Sequence, residues 1–162
     1  MDEQPRKTKR IGDILLERNY ITTAQLEAAL AQQRATGQFL GAILLKAGAV
    51  TDAQLLEVFS EQFGIPCEPL SADTVDWSVV KQFQPAQLVD GNCFPVRGDQ
   101  WSVTVAIINP LDAWGLSAFE RVAGQRRVKP VLVLERELRA VIQDYKRQLL
   151  QAVEARLRHG NV

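Results

Sequence analysis

One histidine and two cysteines are the whole stock of nitrogen and sulfur metal ligands in this 162-residue sequence. His159 sits in a polar tail, and Cys67 and Cys93 stand apart, without CxxC spacing or a neighbouring histidine. Neither a zinc site nor a disulfide framework is expected, and reduced thiols are the default. Charge of one sign is missing too: Lys plus Arg and Asp plus Glu balance at 19 each. Binders of DNA, RNA or anionic membranes generally carry a basic excess, so those partners are not expected. A local basic cluster remains at Arg6, Lys7, Lys9 and Arg10, whose plain reading is a solvated leader. No apolar run approaches the ~18–20 residues that span a bilayer, so no membrane insertion is expected. The opening MDEQPRKTKR is followed by no apolar h-region, which argues against a secretory signal. The expected location is the cytoplasm.

Patterns of common catalysis are absent as well. No G-x-x-x-x-G-K-[ST] occurs, so no Walker-type phosphate cradle is available for ATP hydrolysis. Acids such as Asp112 and Asp144 show no paired spacing, and no Ser or Cys has a sequence-identifiable His partner. An enzyme, a metal and a cofactor are therefore not expected. What the chain does have is a globular composition, 46% hydrophobic and 23% charged, which predicts a folded core.

Its strongest internal signal is a duplication. Residues 11–33 read IGDILLERNYITTAQLEAALAQQ and residues 40–62 read LGAILLKAGAVTDAQLLEVFSEQ, with 9 of 23 positions identical at an offset of 29. Two copies are too few for a solenoid. Each copy opens with a short apolar helix, carried by Ile14, Leu15 and Leu16 or by Ile43, Leu44 and Leu45. Asn19 or Gly48 follows, the residue types that best adopt the left-handed conformation beyond a helix end. Thr22-x-x-Gln25 and Thr51-x-x-Gln54 then form capping boxes, flanked by hydrophobic staples from Ile21 to Leu26 and from Val50 to Leu55. Leu26, Ala29 and Leu30 recur at helical spacing, as do Leu55, Val58 and Phe59. Gly37 and Gly64 stand where each second helix should end. Residues 10–66 are thus expected as four helices, two helix–turn–helix units related by a pseudo-twofold axis. The plain explanation is a bundle whose repeat serves only its own packing. Against it, Gly12 and Gly41 weaken helix starts and are more useful where a ligand or backbone approaches closely.

Beyond Pro66 the pattern changes. Pro66 and Pro69 break the helix and predict an extended linker over Cys67–Leu70. Asp76–Phe83 and Pro85–Leu88 read as short helical turns, while Cys93–Val96, Trp101–Ile108 and Val128–Leu134 read as strands. Leu111–Ala123 reads as a helix ended by Gly124, and Glu135–Leu157 as one long helix. The predicted fold is α+β: a leader over 1–9, a tandem-repeat helical subdomain over 10–66, a linker over 67–70, and an α/β subdomain over 71–147. That second subdomain should hold a three- to four-stranded sheet and the long C-terminal helix, whose end over 148–162 is a helical extension or a frayed tail.

Arg10-Ile11-Gly12, Asn19, Leu26, Leu30 and Gln33 resemble the tandem motif of the MshEN domain, which reads Arg-Leu-Gly, a Gly, a Leu-x-x-x-Leu pair and a final Gln. The second motif runs through Phe39-Leu40-Gly41, Gly48, Leu55, Phe59 and Gln62, with Arg34–Gln38 as spacer. Gly64-Ile65-Pro66, VAIINPL at Val105–Leu111, and Val128–Tyr145 extend the resemblance downstream. Members lie at the N-terminus of ATPases that drive type II secretion and type IV pilus assembly. Some bind cyclic di-GMP, with each motif holding part of the dinucleotide; others dock the ATPase on an inner-membrane partner.

The resemblance implies a non-catalytic regulatory or docking module. Its implied ligand-binding residues are Arg10, Ile11, Gly12, Leu26, Leu30 and Gln33 from the first motif. Phe39, Leu40, Gly41, Leu55, Phe59 and Gln62 follow from the second, with Asn109 downstream. In that setting Gly12 and Gly41 would admit phosphate oxygens, Arg10 would stack on guanine or pair with phosphate, and Gln33 and Gln62 would offer amide hydrogen bonds. The sequence departs from the family at four places: Phe39 for Arg, Phe59 for Leu, Asn19 for Gly, and Asn109 for the usual Asp. Those departures favour an alternative, a nucleotide-independent adaptor. It would dock on the cytoplasmic domain of an inner-membrane platform protein or on a partner ATPase, and two aromatics beside a groove would suit such a contact; the plain alternative, stronger for Phe59 than for Phe39, is that the rings are buried core.

Overall fold

A computed structural model describes residues 9–160, except the side chains of residues 113 and 114. Arg6 and Lys7, with the rest of the leader before Lys9, lie outside the described residues, as do the last two positions of the tail. The chain divides into two compact units that meet between Ile65 and Pro66.

The first unit holds four helices: α1 (Ile11–Glu17), α2 (Thr23–Thr36), α3 (Leu40–Lys46) and α4 (Asp52–Phe63). Both capping boxes form. The Thr22 N–H donates to Gln25 Oε1 at 2.8 Å and the Gln25 N–H returns to Thr22 Oγ1 at 3.2 Å. In the second copy the Thr51 N–H reaches Gln54 Oε1 at 2.9 Å, and the return bond is again 3.2 Å. Asn19 and Gly48, two residues past their helices, take φ of 55° and 69°, the left-handed turn that lets α1 and α3 double back. Ile14, Leu15 and Ile21 are buried with their counterparts Ile43, Leu44 and Val50. Helix α1 lies against α4 and α2 against α3, the cross-pairing that a twofold exchange of the copies requires. Arg18 fastens the first of these pairs, donating to Glu57 Oε2 at 3.1 Å and also pairing with Glu61.

The second unit is built on a three-stranded sheet in the order β1 (Cys93–Gly98), β2 (Ser102–Ile107), β3 (Arg127–Leu132). Strands β1 and β2 are antiparallel, joined by a turn in which Asp99 Oδ1 accepts the Trp101 and Ser102 N–H groups, each at 2.7 Å. Strand β3 runs parallel to β2, from Ser102↔Arg127 to Ile107↔Leu132. A parallel pair needs a crossover, and α7 (Ala113–Val122) supplies it. Val103–Ile107 is buried at every position, which identifies β2 as the centre of the layer. Helix α8 (Glu135–His159) covers the sheet with Leu138, Val141, Ile142 and Tyr145. The Tyr145 ring stands 5.7 Å from Phe94 and 6.4 Å from Trp77. Cys67–Leu70 runs beside the sheet: Cys67 bridges to Leu132, the Glu68 N–H donates to Leu132 O at 3.0 Å, and Leu70 is buried.

The short helical turn read at Asp76–Phe83 is α5 (Trp77–Val80), and beyond it the bonds tighten to a three-residue step, Gln82 N–H to Val79 O and Phe83 N–H to Val80 O, both 3.1 Å. A 3-10 turn at Ala72–Thr74 precedes it, anticipated by no periodic pattern. Pro85–Leu88 forms α6 as read.

Candidate ligand-binding site

The motif residues fall on equivalent places of the first unit, and their exposure divides them. Arg10 is the N-cap of α1 and Phe39 the N-cap of α3, both in extended backbone, with φ/ψ of −72°/153° and −65°/138°. Arg10 is exposed and its guanidinium makes no ion pair among the described residues. Phe39 is 50% exposed, high for so apolar a ring. Ile11, Leu26, Leu30, Gln33, Leu40 and Gln62 are half-buried, whereas Gly12, Gly41, Leu55 and Phe59 are buried.

Burial gives the two glycines a packing role. A Cβ at residue 12 would come 2.9 Å from Leu26 Cδ1; one at residue 41 would meet Leu55 Cδ2 at 3.4 Å and Phe59 Cζ at 3.5 Å. The space on the Cβ side of each glycine is occupied by side chains of the following helix. Phe59 is corrected in the same way. It is 6% exposed, packed over Gly41 and 6.4 Å from the Phe63 ring, so it is core and not the second exposed aromatic of a partner surface.

The copies therefore differ where they should match. In the first motif Leu26 and Leu30 keep accessible surface; in the second, Leu55 and Phe59 have lost it to the core. Gln62 Oε1 is buried without a hydrogen-bond partner among the described residues. An acceptor stripped of water and left unmatched costs stability. Asn109 belongs to the second unit, where its Oδ1 accepts the Leu111 N–H at 2.9 Å and shapes the turn after β2.

Two residues escaped the sequence reading. Exposed Arg34 and Phe63, 39% exposed, are related by the same offset of 29, beyond the last identity of the repeat. Extending the comparison by one residue past Gln33 and Gln62 would have found them.

Concavities also lie elsewhere among the described residues. One of about 530 Å³ is bounded by Leu16, Asn19, Tyr20, Ile21, Thr22, Thr23 and Gln25. Another, of about 340 Å³, is lined by Cys93, Asn92, Gly115 and Phe119 among others in the second unit. Burial pushes the Cys93 thiol up to about 12, with the Asp112 charge adding to the shift, so it stays protonated and poorly nucleophilic at neutral pH. Among the described residues no three His, Cys, Asp or Glu side chains are grouped to hold a metal ion. No helix among them is long and apolar enough to cross a membrane.

A duplicated helical unit followed by a small mixed sheet capped by a long helix is the architecture to be compared with known proteins. The MshEN domain family matches residues 63–152, more than half of the chain, and the chain belongs to that family. That match covers mainly the second unit; wider comparisons reach the first. The type IV pilus assembly ATPase PilB of Myxococcus xanthus is 26% identical over 137 residues, 84% of this chain and 24% of the relative. Bacteriophage adsorption protein B of Escherichia coli K12 is 29% identical over 133 residues, 82% of this chain and 18% of the relative. The structure of MshE with cdg, cyclic di-GMP, superposes with a TM-score of 0.74 at 25% identity, covering 85% of this chain and 99% of that one. The chain spans about a quarter or less of the length of the two curated relatives.

Proposed function

We propose that the first unit binds cyclic di-GMP across its two motifs, and that the chain serves as a non-catalytic regulatory module of a type II secretion or type IV pilus machine. The observation that carries this reading is the cross-paired repeat, which presents Arg10 and Phe39 at equivalent helix starts. A ligand made of two like halves suits a unit built by duplication, even where the copies' surfaces differ. Arg10 supplies a cation, unpaired among the described residues, for guanine or phosphate; Leu26 and Leu30 supply apolar surface, and Gln62 Oε1 lacks a donor among those same residues. The bound ligand of the MshE structure supports the same choice. The host machine acts at the cytoplasmic face of the inner membrane.

Calorimetry with cyclic di-GMP tests the reading. Micromolar or tighter binding, lost in Arg10→Ala, is expected. At ligand a hundredfold above Kd the native state should gain about 2.7 kcal/mol, visible as a raised Tm. No heat and no shift at ligand excess would remove the proposal.

The half-exposed Phe39 ring favours a second reading, a nucleotide-independent adaptor for an inner-membrane platform protein or a partner ATPase. In that case Phe39→Ala keeps the fold, abolishes pull-down of the platform protein's cytoplasmic domain, and cyclic di-GMP leaves the pull-down unchanged. A nucleotide-dependent pull-down would instead mean that the two sites are coupled.

A further inference from the structure

The duplication is faithful in its core and unfaithful on its surface. At the offset of 29, the first copy places Arg10, Leu30 and Arg34 where the second places Phe39, Phe59 and Phe63. Both arginines are exposed, and neither is in an ion pair among the described residues. Phe39 and Phe63 are 50% and 39% exposed, and Phe63 leans on the buried Phe59 at 6.4 Å. At these positions the first copy thus offers cations and aliphatic surface, and the second offers aromatic rings.

These surfaces read purine bases differently. A guanidinium donates two parallel N–H groups and matches guanine, which presents O6 and N7 as acceptors on one edge. Adenine shows N7 beside an N6 donor on that edge, so an arginine meets one acceptor and one unfavourable donor. A phenylalanine ring has no donor or acceptor to offer. It stacks on the face of any base, and such stacking is tolerant of base identity.

Resting on the proposed binding of a cyclic dinucleotide, we infer that the two half-sites are not equivalent: the Arg10 half selects guanine, and the Phe39 half accepts guanine or adenine. The ligand class is therefore a cyclic purine dinucleotide with one obligatory guanine. It includes the mixed guanine–adenine compound as well as cyclic di-GMP.

Titration of the 162-residue chain with cyclic di-GMP, 3′,3′-cyclic GMP-AMP and cyclic di-AMP separates the possibilities. The first two should bind within about threefold of one another, and cyclic di-AMP roughly tenfold more weakly or worse, the loss of one bidentate guanine contact. Phe39→Arg should make the protein prefer cyclic di-GMP over the mixed compound by about tenfold. Arg10→Phe, the opposite exchange at another exposed position, should bring cyclic di-AMP level with the mixed compound, and it carries the test should Phe39→Arg not fold. Binding of cyclic di-GMP with the mixed compound more than about tenfold weaker would overturn the inference and leave the proposed function standing. Equal binding of cyclic di-AMP and the mixed compound by the unaltered chain would overturn it too. Absence of binding by all three would overturn the proposed function and this inference together.

Discussion

Gly12 and Leu26 compete for one space: a Cβ at residue 12 would lie 2.9 Å from Leu26 Cδ1 and 3.3 Å from Cδ2. The equivalent glycine of the second copy, Gly41, meets nothing nearer than 3.4 Å. Replacing a helical glycine by alanine gains about 1 kcal/mol of helix propensity. Gly41→Ala should keep most of that gain. Gly12→Ala should lose it, because Leu26 has to turn away from the helix it packs on. Urea unfolding of both variants measures the difference, expected at ~0.5–1 kcal/mol in favour of Gly41→Ala. Equal midpoints would mean that Leu26 gives way freely.

The two capping threonines act on helices that do not share a cap partner. Each accepts one N–H of an otherwise unpaired first turn, Thr22 from Gln25 and Thr51 from Gln54, both at 3.2 Å. Thr22→Ala and Thr51→Ala should each cost about 1 kcal/mol. The double variant should lose nearly the sum, within about 0.5 kcal/mol. A markedly smaller sum in thermal or urea unfolding would show that the second cap no longer matters once the first is gone.

What was legible in the sequence was what short stretches decide alone. Thr22 and Gln25 meet across one turn, Asn19 needs only its own backbone to go left-handed, and Val103–Ile107 declares a buried strand by composition. Side-chain burial was less legible, because partners far along the chain set it. Leu26 and Leu55 are identical and repeat-related, yet only Leu55 is buried. Phe59 and Phe39 each admit a surface and a core reading from sequence; Phe59 is core, packed beside Gly41, while Phe39 stays half-exposed. The turn at Ala72–Thr74 is too short for periodicity to register.

Acid should find the Glu68–Arg97 contact. Arg97 donates from both terminal nitrogens to the two carboxylate oxygens of Glu68, each at 2.8 Å. Those bonds hold the Glu68 carboxyl below its usual value, with the Arg97 charge adding to the effect and partial burial opposing it. A carboxyl whose folded pKa is depressed contributes stability above its unfolded pKa, near 4.3, and loses it as pH falls through the folded value. Glu68→Gln should therefore flatten the acid limb of the stability curve below about pH 5 and leave the relative slope near neutrality unchanged. Parallel curves for the two proteins from pH 7 to 3 would remove Glu68 as a contributor.

The far end of α8 keeps its apolar side chains in solvent. Leu138, Val141, Ile142 and Tyr145 are buried, Leu149 is half-buried, and beyond it Leu150, Val153 and Leu157 are 60%, 53% and 68% exposed. Apolar side chains left in water return none of the burial energy that a helix needs to offset its ordering cost. A chain ending after Leu149 should unfold within about 0.5 kcal/mol of the full chain, the range of surface changes, while its far-ultraviolet circular dichroism falls by the missing turns. Stopping after Leu138 instead removes Val141, Ile142 and Tyr145 from the sheet and should cost several kcal/mol, since each large buried side chain contributes roughly 1.5–3 kcal/mol. Comparable losses in the two truncations would show that the exposed turns are braced by a contact that the isolated chain does supply.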